Sequence, residues 1–243
     1  MTSTSKHDHL MHLCEIRPFQ QRKTKCGFMT LIFKPNEVIL FIGDSITDCD
    51  RRSPAYAPLG YGYVYNIHCL LRSVYPQLDL TIINKGISGD RITDLRDRWQ
   101  TDVIDNPPDW LFIYVGINDV WRFFEGDPEE GVNLDKFSDT YRQLIKAVLS
   151  NITVNIQLIA PFLAESNPED PFRSRLARYQ VAIDDLGRSF NLPVIHLQPT
   201  FDRAMQVKPS NYWTSDRVHP TEEGHMLIAL SILNTCQFEL SLF

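Results

Sequence analysis

Five short apolar runs, most of them rich in β-branched residues, constrain this chain more tightly than any other feature. They are Val38–Ile42, Leu80–Asn84, Trp110–Val115, Val154–Ala160 and Val194–Leu197. Turn signals such as Gly43, Lys85-Gly86 and Pro161 close them, and each reads as a strand. Segments with helical spacing lie between and after them. Val64, Ile67, Leu71 and Val74 predict a helix over Gly62–Tyr75, stopped at Pro76. Arg91–Trp99 also reads as helical. Phe137, Tyr141, Leu144, Ile145 and Val148 mark another helix, and so do Leu176, Tyr179, Ile183, Leu186 and Phe190. Met226, Ala229, Leu230 and Leu233 mark a last helix beginning near Pro220. Strands alternating with helices imply right-handed crossovers and a parallel sheet covered on both faces. Nearly continuous apolar strands agree with two-sided burial. The expected fold is a three-layer α/β/α sandwich around a five-stranded parallel sheet. In such a sheet the binding crevice lies beyond the strand C-termini. The irregular stretches Asp50–Tyr61, Trp121–Leu134 and Pro161–Pro171 are therefore expected to wall it.

A chain of 243 residues fits one large domain. Its net charge of −6 lacks the basic excess of a nucleic-acid binder. No run approaches 18 continuous apolar residues, so no membrane span is expected. The five cysteines are odd in number and form no CxxC pair, which points to free thiols in a reducing compartment, the cytoplasm. Residues 1–28 differ from the rest. They carry His7, His9 and His12 with an excess of basic residues, and they show neither a persistent period nor the apolar core of a secretory signal. They read as a disordered N-terminal extension ahead of a functional chain starting near Met29, so that 29–243 forms the working domain.

Four polar clusters carry the chemistry. Gly43-Asp44-Ser45-Ile46-Thr47-Asp48, Gly86-Ile87-Ser88-Gly89-Asp90 and Gly116-Ile117-Asn118-Asp119 each follow a strand. Asp216-Arg217-Val218-His219-Pro220 precedes the last helix. Strand C-termini converge on one edge of the sheet, so these distant segments can share one pocket. A serine hydroxyl is a weak nucleophile and needs a base within hydrogen-bond reach. His219 supplies an imidazole, and Asp216, three residues earlier, can orient it. The tetrahedral intermediate of acyl transfer needs fixed donors. The candidates are the backbone N–H groups of Ser45 and Gly89 and the side-chain amide of Asn118.

This set resembles the SGNH (GDSL-type) hydrolases, a family named for its Ser, Gly, Asn and His. The resemblance spans roughly Lys34–Leu233 and implies a flavodoxin-like fold. It assigns Ser45 as nucleophile, Asp216 and His219 as its partners, and Ser45, Gly89 and Asn118 as the oxyanion hole. Within the family, Phe41–Cys49, Leu59–Val64, Asn84–Gly89, Gly116–Arg122 and Asp216–Pro220 are similar to the serine acetylxylan esterases. That branch implies deacetylation of xylo-oligosaccharides by an intracellular homo-oligomer, with a small-molecule ester as partner and no cofactor or metal. Members tend to carry Trp immediately before the catalytic Asp, whereas Trp213-Thr214-Ser215 intervenes here.

Asp44, Trp121, Arg122 and Trp213 are further candidates for the substrate pocket. Asp44 and Asp48 also read as structural acids near a helix N-terminus, Asp119 as structural, Gly86 and Gly116 as turn glycines, and Asp50-Arg51-Arg52 as a solvated charge run. His225 reads as a surface or core-edge histidine, and His68 and His196 as packing residues. Two other functions fit parts of the pattern. One is a lipolytic lysophospholipase or thioesterase of the same family. The other is a metal-dependent phosphoesterase in which Asp44, Asp48, Asn118, Asp119, Asp216 and His219 gather around cations. The chain contains no Gly-x-Ser-x-Gly elbow of the α/β-hydrolase type.

Overall fold

All five expected strands form, and they pair in parallel in the order β2-β1-β3-β4-β5. They are β1 (Val38–Gly43), β2 (Thr81–Gly86), β3 (Trp110–Tyr114), β4 (Asn155–Ala160) and β5 (Val194–His196). The computed structural model describes residues 31–240; the proposed extension at 1–28 lies outside them. In register, Phe41 stands between Asn84 and Phe112, and Gly43 between Gly86 and Tyr114. β2 therefore runs on through Lys85 and Gly86, past the expected turn, because these residues pair with the end of β1.

The chain steps from β1 outward to β2, then crosses back to β3 and continues to β4 and β5. Right-handed crossovers place the helix after β1 on one face and those after β2, β3 and β4 on the other. On the first face, α2 (Tyr63–Val74) packs against the terminal helix, Glu222–Thr235. On the second, α3 (Ile92–Trp99) packs on α5 (Leu134–Asn151), which packs on α6 (Pro171–Phe190). The α/β/α sandwich is thus the observed fold.

Phe41 and Phe112 stack at 4.7 Å in the middle of the sheet, and all of β3 is buried. Four shorter helices had no periodic signal. They are α1 (Ser45–Asp48), α4 (Ile117–Trp121), α7 (Gln198–Met205) and α8 (Ser210–Trp213); the terminal helix is α9. α9 starts at Glu222, two residues after Pro220, where Thr221 caps it by accepting the Gly224 N–H.

β1 and β3 are neighbours whose outgoing connections run in opposite directions. That is a switch point, where the loops diverge and leave a crevice. Ser45 follows β1 and Asn118 follows β3.

Candidate active site

Asp44 caps α1, its carboxylate accepting the Ile46 N–H at 3.0 Å, and this sets Ser45 as the first residue of the helix. The turn is tight. A Cβ on Gly43 would collide with the Tyr114 carbonyl oxygen, and one on Gly86 would collide with the Asp48 amide. Gly86 is therefore a close-packing glycine rather than a turn glycine. Gly116, at φ +131°, does serve a turn.

The Ser45 hydroxyl lies 3.0 Å from His219 Nε2. His219 Nδ1 lies 2.7 Å from Asp216 Oδ2. A carboxylate accepts only, so Nδ1 carries the proton and Nε2 is left bare to accept from the Ser45 O–H. Asp216 Oδ1 accepts the amides of Val218 at 3.0 Å and His219 at 2.7 Å. Partial burial works to raise the Asp216 carboxyl, but those hydrogen bonds and the imidazole hold it below the usual carboxylate range. The loop turns through Arg217 at φ +72°. The Arg217 guanidinium ties it to Glu165 Oε2 at 2.9 Å and Asp170 Oδ2 at 3.2 Å, while its carbonyl accepts the Ala164 N–H. Trp121 packs beside the base, its ring centroid 5.4 Å from that of His219.

The opposite wall is buried. Asn118 is 5% exposed, and its Nδ2 donates to the Asp90 carbonyl at 3.0 Å. The second Nδ2 hydrogen remains available to a substrate oxygen. Gly89 sits at φ +87°, where a Cβ would meet only the Arg122 guanidinium at an ordinary 3.6 Å, so backbone conformation selects glycine there. Among the described residues, neither the Ser45 nor the Gly89 N–H donates to another part of the chain. Asp48 Oδ2 accepts both the Ser88 N–H at 3.0 Å and the Ser88 hydroxyl at 2.9 Å, clamping the Gly89 loop to α1. Arg98 braces the same loop: it donates to Asp90, to the Lys85 and Gly43 carbonyls and to Asp102.

A pocket of about 580 Å³ joins Ser45, Gly89, Asn118, His219, Trp121 and Arg122, with Cys49, Asp50, Tyr61, Ser88, Glu125 and Gly126 completing its lining. Two of the expected pocket residues do not line it. Asp44 is fully buried and spent on capping, and burial raises its carboxyl to about 7. Trp213 turns away, packing on Tyr212 and donating to the Lys208 carbonyl at 3.2 Å.

Other residues also differ from expectation. Arg51 is not simply solvated, since its Nε donates to the Gly86 carbonyl at 2.6 Å. His196 is half exposed and faces Asp184 at 3.3 Å. His225 is buried; its Nδ1 accepts the Tyr63 N–H at 3.2 Å, and Nε2 lies 3.3 Å from Cys49 Sγ. Burial pushes the imidazole of His225 down to about 4 and the Cys49 thiol up, so the two are a neutral pair. Cys49 had no signal as a pocket residue, although it stands one helical turn after Ser45; Tyr61 ends a stretch expected to wall the crevice, and Ser88 belongs to one of the polar clusters.

The acids proposed as cation ligands do not converge. Asp44, Asp48 and Asp119 serve the amides of Ile46, Ser88 and Ile92. Among the described residues, no three His, Cys, Asp or Glu side chains group to hold a metal ion.

A serine facing a histidine–aspartate pair at the C-terminal edge of a parallel sheet defines a serine hydrolase site. The chain belongs to the GDSL-like lipase/acylhydrolase family, matching it over residues 41–227. It is 38% identical over 209 residues to an acetylxylan esterase of Geobacillus stearothermophilus, covering 84% of this chain and 95% of that one. The crystal structure of that organism's Axe2, an acetylxylan esterase, superposes with a TM-score of 0.81 at 37% identity, over 86% of this chain and 97% of the other. Catalytic mutants of Axe2 replace a serine, an aspartate and a histidine. LAE5, an enzyme from the metagenome of Lake Arreo, is 29% identical with a TM-score of 0.80, over 86% and 100% of the two chains.

Proposed function

We propose that this protein is a serine esterase that removes short acyl groups, acetyl above all, from carbohydrate such as acetylated xylo-oligosaccharides. The observation that carries the reading is the continuous relay from Ser45 Oγ through His219 to Asp216, at 3.0 and 2.7 Å, in a pocket that Gly89 and Asn118 also line. Similarity to the Geobacillus enzyme supports the acetylated sugar as substrate.

In the first half-reaction His219 Nε2 takes the hydroxyl proton as Ser45 Oγ attacks the ester carbonyl. Asp216 stabilises the imidazolium and keeps its ring oriented. The developing oxyanion is bound by the N–H groups of Ser45 and Gly89 and by the free Asn118 N–H, which is where fixed donors lower the barrier most. The imidazolium then gives its proton to the departing sugar hydroxyl, leaving an acetyl group on Ser45. In the second half His219 deprotonates a water that attacks the acyl-enzyme. The proton returns to Ser45, and acetate leaves.

The reading extends to a homo-oligomer working in the cytoplasm. The free thiols of Cys49, Cys69 and Cys236 support the compartment, and the family resemblance supports the assembly. No helix among the described residues is long and apolar enough to cross a membrane. Rates on aryl esters of acetyl, butyryl and octanoyl acids, beside acetylated xylo-oligosaccharides, test the substrate. The expected maximum is at acetyl, with release of acetate from the sugar. A maximum at octanoyl without sugar deacetylation overturns it in favour of a lipolytic enzyme. Light scattering and cell fractionation test assembly and compartment.

A further inference from the structure

A second hollow adjoins the catalytic pocket. It is a groove of about 670 Å³, and its lining includes Tyr56, Tyr61, Tyr65, Asn66, Glu222 and Met226. Tyr61 lines both cavities, so the groove lies next to the space that holds Ser45. Tyr56, Tyr61 and Tyr65 are each close to half exposed, at 46%, 46% and 47%. The Tyr56 ring meets the Tyr61 ring nearly edge-on, with centroids 5.2 Å apart. Single exposed apolar residues need no explanation, but three aromatic rings in one concave site do.

The lining chemistry selects the occupant. It includes no Lys or Arg, and its one ionisable acid is Glu222, so an anionic ligand is disfavoured. The aromatic rings are interspersed with the Asn66 amide, the Glu222 carboxylate and the tyrosine hydroxyls. A pyranose matches that mixture, since its C–H face is apolar and its rim carries hydroxyls. The volume suits a small ligand rather than a folded partner. The geometry points to a sugar subsite: the groove binds the residues of an oligosaccharide that flank the acetylated one, while that residue sits over Ser45. The inference rests on the carbohydrate-esterase reading above. Binding energy gathered here, away from the reacting bond, is available to orient the ester and so raises kcat as well as lowering KM.

The test compares kcat/KM of the full chain on singly acetylated xylose, xylobiose and xylotetraose, with an aryl acetate as reference. For the wild type the value rises with sugar length. Tyr56→Ala and Tyr65→Ala each lower the ratio of xylotetraose to aryl-acetate kcat/KM by about tenfold, equivalent to about 1.4 kcal/mol. Tyr56→Phe, which keeps the ring, retains most of it. Unacetylated xylotetraose inhibits the wild type, and its Ki rises in the alanine variants. Both rings are already half in solvent, so truncation opens no core, and thermal melts check this. An unchanged ratio in both alanine variants overturns the subsite and leaves the esterase reading intact. A wild type that cleaves aryl acetate but no acetylated sugar overturns both the carbohydrate reading and the subsite. Equal loss on both substrates with a fall in mass by light scattering makes the groove a contact between copies instead, and also overturns it.

Discussion

Ser45, Gly89 and Asn118 are fixed from within the protein, whereas Asp216 and His219 are fixed from its surface. On the nucleophile side the supporting carboxylates are Asp44, Asp48 and Asp119, at 0%, 4% and 0% exposure, and each serves a backbone amide. On the base side the supports are the Arg217 ion pairs to Glu165 and Asp170, and the side chains of Asp216 and His219 are 44% and 37% exposed. A buried carboxylate whose loss leaves an amide unpaired couples catalysis to stability. Exposed ion pairs contribute little to stability and weaken in salt. One wall is therefore expected to fail together with the fold, and the other to fail alone.

The largest effect sharpens the nucleophile side. Ser45→Ala should retain only the residual ~10³–10⁴-fold acceleration over water that binding and the oxyanion hole provide. Turnover of aryl acetate checks this, and undiminished activity would break the mechanism itself. Asn118→Ala should lower kcat by roughly 10²–10³. Steady-state kinetics should put that loss in kcat rather than KM.

The next pair tests the contrast directly. Asp48→Ala leaves the Ser88 amide without its acceptor, so kcat should fall and stability should drop by about 1–3 kcal/mol together. Arg217→Ala should lower kcat by about tenfold, on the order of 1.4 kcal/mol, with an almost unchanged melting temperature. High salt should move the wild type toward that variant. A melting temperature that falls equally in both variants would erase the distinction between the walls.

The last contrast lies in pH dependence. Burial raises the Asp119 carboxyl from 3.8 to about 8. An acid kept neutral in the folded state contributes fully below its unfolded pKa, and that contribution is lost as pH rises from about 4 to about 8. Asp119→Asn should flatten that part of the pH–stability curve. Denaturant titrations at several pH values compare it with the wild type, and parallel curves would remove Asp119 as the cause.

The sheet and three of the residues gathered at its edge were legible for one reason. Buried parallel strands are nearly uniform apolar runs, and the polar cluster that ends each run must lie on the shared edge. Ser45, Gly89 and Asn118 follow from that logic alone. What failed was facing. Asp44 adjoins Ser45 in sequence, yet the helix start turns its side chain into the core. Trp213 lies near Asp216, but α8 turns it toward Lys208. Cys49 and Tyr61 reach the pocket only because Cys49 ends α1 in a left-handed conformation and Gly60 brings the following segment back against it. Such positions depend on tertiary packing and leave no period to read. The supporting role of Asp48 is hidden for the same reason, since Ser88 lies 40 positions away, and so is Arg98's bond to the Gly43 carbonyl, 55 positions away.

The packing of Trp121 beside His219 has an optical consequence. An indole 5.4 Å from an imidazole is a fluorophore next to a quencher that acts most strongly when the ring is protonated. The chain has four tryptophans, and this one reports on the general base. The emission difference between the wild type and Trp121→Phe should therefore follow the charge on the base through a single turnover, without an added label.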